Sequence, residues 1–86
     1  MYSLEISESL KKEFIKIAKK NSTLKIVLDK KIKEILEEPH HYKPMHPPLQ
    51  NKYRVHIGSF VLLFEINKNE KIVRLIDFDH HDNIYK

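Results

Sequence analysis

The chain has 86 residues, of which 41% are apolar, carries a formal net charge of +4 and contains no cysteine. A protein of this size buries roughly 60–65% of its unfolded surface, which is enough for one core, so we predict a single domain over residues 1–86. The lack of cysteine excludes a disulfide framework and a thiolate metal site, and no apolar run reaches the roughly 18 residues that cross a bilayer. We therefore expect a cytoplasmic protein that packing alone holds together, with no membrane partner.

The positive charge is concentrated in the first half of the chain. Between Leu10 and Lys33 there are nine lysines and only two acidic residues, Glu13 and Asp29. A basic helical surface favours polyanions, although the same lysines also suit a solvated helix face. The charge is therefore compatible with a nucleic-acid partner without identifying one.

The first twenty residues predict a strand followed by a helix. Tyr2, Leu4 and Ile6 are separated by polar residues, which is the pattern of a short strand with one buried face. Ser7 is expected to cap a helix that continues to Lys20. The apolar residues of this helix recur at three- and four-residue spacing: Leu10, Phe14, Ile17 and Ala18.

A second helix and a proline-rich loop follow. We expect Ser22 to cap the second helix and Pro39 to end it. Its apolar face consists of Leu24, Val27, Leu28, Ile32, Ile35 and Leu36. All four prolines and three of the six histidines then fall within residues 39–48. Prolines at this density exclude regular structure, so we predict an ordered loop that crosses the mouth of the sheet.

The last third of the chain predicts an antiparallel meander. Gly58, the only glycine, is followed by Ser59 between two apolar runs, which suits a two-residue hairpin turn with positive φ at its first position. Counting outward from the turn gives the pairs Ile57–Phe60, His56–Val61, Val55–Leu62 and Arg54–Leu63. Paired residues share a face. The core face is then Tyr53, Val55, Ile57, Phe60, Leu62, Phe64 and Ile66, and the open face is Arg54, His56, Val61, Leu63 and Glu65.

The final strand is less well determined by its sequence. A four-residue turn over residues 67–70 would pair Leu63 with Arg74 and place His80, rather than His81, on the open face. Strand geometry is expected to fail near Asp79, so both histidines remain candidates. The predicted fold is α+β, in the order β-α-α-β-β-β, with a two-helix hairpin on a three-stranded antiparallel meander. The N-terminal strand is expected to lie beside the last strand and parallel to it.

His56 and Arg54 share the open face because they are two residues apart on one strand. Metal-independent RNA cleavage needs a base for the 2′-hydroxyl, an acid for the leaving 5′-oxygen and a cation for the phosphate, and histidine and arginine supply these groups. His46 precedes this strand, and His80 and His81 follow the neighbouring one. A lone surface-strand histidine remains the alternative interpretation of His56.

The segments RVHIGSFVLLFEI and DFDHHDNIYK resemble the RelE/ParE superfamily of type II toxins, over the whole β-α-α-β-β-β chain. The likeness is closer to the histidine-rich branch that includes YafQ-like toxins. The resemblance implies a ribosome-dependent mRNA endoribonuclease that inhibits translation and needs no cofactor. It also implies a cognate RelB-like antitoxin, the ribosome and mRNA as partners, and it allows a heterotetramer with the antitoxin.

The resemblance also implies roles for individual residues. It matches His46, His56 and His81 to the functional histidines of the branch, Arg54 to a basic residue of the active face, and Tyr85 to the C-terminal aromatic. His81 is then the expected acid, His56 or His46 the base, and Arg54 the charge stabiliser. Tyr85 either stacks on an unpaired base or anchors the C-terminus on the sheet. Lys43, Lys52 and His80 are the predicted RNA contacts.

Two departures from the family pattern limit the mechanism. RelE-type toxins usually have an arginine on the middle strand where this chain has Val61, and often an arginine where His81 stands. An arginine-based mechanism is therefore excluded, which leaves the histidine-based one.

Three alternatives remain. His40-His41 and residues 79–82 contain imidazole and carboxylate groups for a metal site, although without the helical spacing of a known zinc motif. Superfamily members that inhibit DNA gyrase without cleaving nucleic acid are a second alternative. The third is a toxin fold that has lost activity and acts only as an interaction module.

Overall fold

The structure, a computed structural model, describes residues 1–44 and 52–84. His46 and Tyr85, two of the predicted site residues, lie outside these ranges. The elements are, in chain order, β1 (Ser3–Ile6), α1 (Glu8–Lys20), α2 (Ser22–Glu37), a 3-10 turn (Pro39–His41), β2 (Lys52–Ile57), β3 (Phe60–Asn67), β4 (Ile72–His80) and α3 (His81–Ile84). Within the described ranges, no helix is long and apolar enough to cross a membrane.

Within the described residues, four strands form one mixed sheet in the order β1-β4-β3-β2. β2, β3 and β4 pair as an antiparallel meander, and β1 pairs with β4 in parallel. The helical crossover from β1 carries the chain across one face of the sheet before it returns as β2. This confirms the predicted α+β class, the element order and the position of the first strand.

The core lies between the two long helices and the inner face of the sheet. Its fully buried side chains are Leu28, Ile35, Leu62, Phe64, Val73 and Leu75. Every residue predicted for the core face of β2 and β3 belongs to this core or packs against it. The buried stripes of the two helices are narrower than predicted, because Ala18 and Val27 are exposed. On β1, Leu4 is 43% exposed.

The helix boundaries depend on two polar caps. The Ser7 hydroxyl accepts a hydrogen bond from the Leu10 amide at 3.2 Å, as predicted. The predicted cap of α2 was wrong: Asn21, not Ser22, accepts the hydrogen bond from the Leu24 amide, at 3.1 Å. The Asn21 amide also donates to the Ile17 carbonyl at 2.7 Å. One residue therefore ends α1 and begins α2, which leaves Ser22 as the first helical residue.

The β2–β3 hairpin has the predicted turn and register. Gly58 has a φ of +62°. The cross-strand pairs are Arg54–Leu63, Val55–Leu62, His56–Val61 and Ile57–Phe60. The glycine therefore supplies a backbone conformation that other residues adopt only at a cost.

The β3–β4 pairing differs from the prediction. Leu63 pairs with Asp77 rather than Arg74, and Phe64 pairs with Leu75, so Ile76 is the extra residue of a β-bulge. The bulge reverses the facing of every residue after it. Phe78 consequently enters the core, and its ring lies 5.1 Å from that of Phe60 between centroids. The apolar residues of β4 change phase after Leu75, which is the physical reason for the bulge.

The start of the proline-rich segment is attached to the sheet. Residues 39–41 form a 3-10 turn, so the prediction that no regular structure occurs there was wrong for this part. Pro44 forms a bridge with Tyr53, and the Tyr42 ring packs edge-on against Phe64 with 5.8 Å between centroids. Burial raises the pKa of the Tyr42 phenol above its ordinary value of 10.0, with Lys31 lowering it and Glu34 raising it. This anchor holds residues 41–43 beside β2.

We predict that Asn21→Ala lowers the free energy of unfolding by about 1 kcal/mol, because it removes the side-chain acceptor of the Leu24 amide and leaves the backbone bond of residue 21 in place. Urea denaturation monitored by circular dichroism measures this change. Ser22→Ala is the matched control and should change stability by less than about 0.5 kcal/mol. A larger loss in Ser22→Ala than in Asn21→Ala would contradict the observed cap.

We predict that the Tyr42 phenol ionises above pH 10, because burial favours its neutral form. The difference between the tyrosinate absorbance titrations of the wild-type protein and Tyr42→Phe isolates this group. Since the unfolded chain ionises first, alkaline pH above about 10 should also favour unfolding, and Tyr42→Phe should lessen that effect. A difference titration with its midpoint at or below pH 10 would contradict the partial burial that raises the pKa of this phenol.

Candidate functional site: histidines and a basic groove at the edge of the sheet

Two histidines come together on the open face of the sheet. The rings of His56, on β2, and His81, at the start of α3, have their centroids 5.7 Å apart and their planes tilted by 31°. The His81 amide donates a hydrogen bond to the Ser59 carbonyl at 2.8 Å. The β2–β3 turn therefore holds the start of α3 close to the end of β2. Because both side chains are exposed, both rings are accessible to a ligand.

A groove of about 380 Å³ lies along the outer edge of β2. It is lined by His41, Tyr42, Lys43, Arg54, Val55 and His56. One wall is formed by residues 41–43, which begin at the last residue of the 3-10 turn, and the other by the β2 strand. Arg54 and Lys43 give it fixed positive charge, and two imidazoles add nitrogen donors or acceptors. Since His56 also approaches His81, the groove and the histidine pair form one continuous candidate site, which we call the edge site (His41, Lys43, Arg54, His56 and His81).

The structure separates His80 from His81. His80 pairs with Phe60, a core-face residue, and its ring lies 5.8 Å from the Phe60 ring between centroids. The Asp82 amide donates to the His80 Nδ1 at 3.3 Å. The bulge therefore places His80 on the side of the sheet opposite His56, contrary to the position that uninterrupted pairing with a four-residue turn would give. His81 joins the edge site instead.

Lys52 belongs to a row of charges across the open face. Its ammonium lies 2.9 Å from the Glu65 carboxylate, and both side chains are more than two-thirds buried. The next pair in the row, Glu65 and Arg74, are neighbours in the β3–β4 ladder, and the Arg74 Nε donates to Glu5 at 2.8 Å. These alternating charges cross the sheet from β2 to β1. The position of Lys52 thus favours a structural ion pair over a phosphate contact.

Beside His56, the open face carries a buried apolar residue and a hydrogen-bonded carboxylate. Val61 is fully buried, and in the sheet it lies between His56 and Asp79. The Asp79 carboxylate accepts hydrogen bonds from the His80 amide at 2.7 Å and from the Asn83 side-chain amide at 3.1 Å. Val61 therefore occupies a packed position at which the family pattern has an arginine, and Asp79 braces the start of α3.

The residues proposed for a metal site do not gather in the described parts of the chain. In residues 1–44 and 52–84, no group of three histidine or carboxylate side chains could hold a metal ion. His40 lies instead against Tyr2, whose hydroxyl is 3.1 Å from the His40 Nε2. His41, its neighbour, lines the groove. The two adjacent histidines therefore have separate environments.

His41 is the edge-site residue that the sequence did not assign to the RNA site, since its pattern indicated His41 only as a metal ligand together with His40. Its ring packs edge-on against Tyr42, with 5.4 Å between centroids. In the sequence, His40 and His41 are equivalent, since both follow Pro39 in an irregular segment. The signal that could have distinguished them is the aromatic residue after His41, which packs on the sheet and directs its neighbour toward β2.

The sequence model of the family described as the ParE toxin of type II toxin–antitoxin systems, parDE, matches residues 4–85. A Methanocaldococcus jannaschii protein named RelE4, described as a candidate toxin, is 51% identical over 88 residues, covering 100% of this chain and 93% of that protein. The isolated E. coli RelE toxin superposes with a TM-score of 0.76 at 25% identity, over 93% of this chain and 84% of that one.

A chain of the intact E. coli RelBE toxin–antitoxin complex superposes equally well, with a TM-score of 0.76 at 25% identity, over 93% of this chain and 96% of that one. Three findings agree on the same family of toxins: the fold, the match to the family model, and the relative that is 51% identical. The chain therefore belongs to the RelE/ParE family of type II toxin–antitoxin toxins.

Proposed function

We propose that this toxin is a ribosome-dependent mRNA endoribonuclease whose chemistry is performed by the edge site without a metal ion. The observation that carries the proposal is the 5.7 Å separation of the His56 and His81 rings beside Arg54. At that separation both imidazoles can reach oxygens of one phosphodiester. Histidine suits both proton-transfer roles because its ordinary pKa lies near neutrality.

In the proposed reaction, the RNA 2′-hydroxyl loses its proton to the base and its oxygen attacks the adjacent phosphorus. The bond from phosphorus to the 5′-oxygen breaks, and the acid protonates that leaving oxygen. His81 is the proposed acid and His56 the proposed base, with His46 as the other proposed base. Tyr85 is proposed to stack on a base of the RNA, as the resemblance implies.

Arg54 is proposed to stabilise the negative charge that builds up on the phosphate. It lines the groove two residues from His56, on the same face of β2. A guanidinium donates two parallel hydrogen bonds to phosphate oxygens, which makes one arginine an effective partner for the transition state. Lys43 is a proposed RNA contact in the same groove. Lys52 and His80 are weaker proposals. Lys52 forms an ion pair with Glu65, and His80 lies on the face of the sheet opposite His56.

Replacing either histidine should abolish most cleavage. We predict that His56→Ala and His81→Ala each lower the cleavage rate of mRNA on programmed ribosomes by about 10²–10⁴-fold, the range for loss of a general acid or base. The measurement is the single-turnover rate, with the fold of each variant verified by circular dichroism. His80→Ala, which alters the neighbouring ring on the other face, should lower the rate by no more than a few-fold. Full activity in both His56→Ala and His81→Ala would refute the proposal.

A ParE-like toxin that binds DNA gyrase and cleaves nothing is the second candidate function. The specific observation in its favour is that the matching family model is that of ParE toxins. Val61, buried where RelE-type toxins usually carry an arginine, also agrees with a different target. A gyrase supercoiling assay beside the ribosome assay distinguishes the two functions. A ParE-like toxin should inhibit supercoiling and leave mRNA intact, whereas the proposed endoribonuclease should cleave mRNA and leave supercoiling unaffected.

We propose a cognate antitoxin as the partner of this toxin. The proposed location is the cytoplasm, where ribosomes and mRNA are found. Support for the partner comes from the similarity to a chain of the intact E. coli RelBE toxin–antitoxin complex. An acidic, partly disordered antitoxin would complement a domain with a formal net charge of +4. A heterotetramer is the proposed assembly.

We predict that expression of this toxin alone arrests growth and that co-expression of the antitoxin encoded beside it restores growth. Binding of the antitoxin should cover the edge site or displace the segment after α3. The first event would block access of RNA to His56 and His81, and the second would remove Tyr85, the proposed stacking residue. Colony counts after induction measure the effect, and the His81→Ala variant is the control for nonspecific toxicity. Equal arrest by the wild-type protein and His81→Ala would show that growth arrest does not depend on the edge site.

A further inference from the structure

The groove along β2 extends beyond the histidine pair. Its lining includes His41, Lys43 and Arg54 as well as His56, but not His81. The His56–His81 pair therefore forms one end of the edge site. His41 belongs to a second region, and His56 is the residue that the two regions share. A single phosphate held by His56 and His81 would leave this second region available to the next part of a ligand.

The composition of that second region suits a nucleic-acid backbone. Lys43 provides a fixed positive charge, Arg54 adds a second one at the border with the scissile phosphate, and the exposed His41 imidazole provides a further hydrogen-bonding group. The apolar side of the groove is formed by Val55 and the Tyr42 ring. In nucleic-acid complexes, phosphate and sugar are contacted mainly by cationic and hydrogen-bonding groups such as these.

His41 is held in place rather than left on a loose loop. Its ring contacts Tyr42 edge-on, and the Tyr42 ring in turn contacts Phe64, which is fully buried. On its other side, His41 borders a second depression that contains Lys31, Glu34, Glu37 and Glu38 of the α2 end. Those carboxylates would repel an RNA strand. The strand is thereby restricted to the β2 side of His41.

We propose that the part of the groove formed by His41 and Lys43 binds the phosphodiester unit adjacent to the scissile one, which Arg54 contacts, with His41 as an RNA-binding residue. This inference rests on the proposed nuclease function and adds to it a second subsite and the residue that defines it. His41 binds the strand and does not take part in proton transfer. Its loss should therefore weaken binding and leave the chemical step intact.

The chain supplies a matched control, because His40 and His41 are adjacent and both exposed, but only His41 lines the groove. We predict that His41→Ala raises the ribosome-complex concentration for half-maximal cleavage by about tenfold, the effect of losing one hydrogen bond to a charged group, with the saturating rate within about twofold. His40→Ala should change neither quantity. His41→Phe, which keeps a ring to pack on Tyr42 and removes both ring nitrogens, should raise the half-maximal concentration equally and serves if His41→Ala fails to fold.

A direct binding measurement separates this subsite from the nuclease proposal. The probe is a short, uncleavable, 2′-O-methylated oligoribonucleotide, and the readouts are its affinity and the NMR signals of the histidine rings. We expect the His41 signals to shift on binding, the His40 signals to stay unchanged, and His41→Ala to weaken affinity by about tenfold. If the probe binds in this way and no RNA is cleaved, the nuclease proposal fails and the subsite stands.

Three results would overturn the subsite. One is unchanged affinity and unchanged half-saturation in whichever of His41→Ala and His41→Phe folds. Another is an equal effect of His40→Ala and His41→Ala, which would point to a change in the whole segment. The third is failure of the wild-type protein to bind the probe at millimolar concentration.

Discussion

The hydrogen bond from the His81 amide to the Ser59 carbonyl is the contact on which the edge site depends. It joins the start of α3 to the turn between β2 and β3, so two segments far apart in the sequence meet at one end of the sheet. The turn itself requires the positive φ of Gly58. A Cβ at that position would meet nothing within 4 Å, so the requirement is conformational and not steric. The turn thus sets both the face of His56 and the position of His81.

The β-bulge in β4 connects the packing of the core to the chemistry of the site. By inserting Ile76, it brings Phe78 inward, where the ring packs edge-on against Phe14 at 5.9 Å between centroids and stacks on Phe60. The same shift sends His80 to the helix side of the sheet. His81, the next residue, leaves the strand and turns back over the open face. A change that straightened β4 would therefore disturb the core and the histidine pair together.

The charges of the open face are divided into two regions with different roles. In one region, alternating acidic and basic residues neutralise each other in a row that crosses the sheet, from Lys52 to Glu5. In the other, the groove beside β2 contains Lys43 and Arg54 with three histidines nearby. A polyanion would be drawn to the second region. The lysines of α1 and α2 lie on the helix side and would add a longer-range attraction that salt screens.

The sequence by itself determined the features that depend on local spacing. The period-two pattern assigned the core face of β2 and β3, the single glycine assigned the turn and its register, and the order of elements assigned the sheet class and the parallel first strand. It also carried the family resemblance. Asn21 was missed as a cap because Asn and Ser are both good caps, and adjacent residues offered two equally favourable starts for α2.

Tertiary structure alone decided the features that depend on contacts between distant segments. The resemblance matched His81 to a functional histidine, but the placement of His81 rather than His80 on the open face came from a bulge whose position is set by the packing of Phe78 in the core. The choice of His41 over His40 came from Tyr42 packing on Phe64, and the ion pair of Lys52 came from the β3 strand beside it. Local spacing shows which residues share a strand face, but it cannot show which loop residue lies beside that face. That outcome depends on how the whole chain packs.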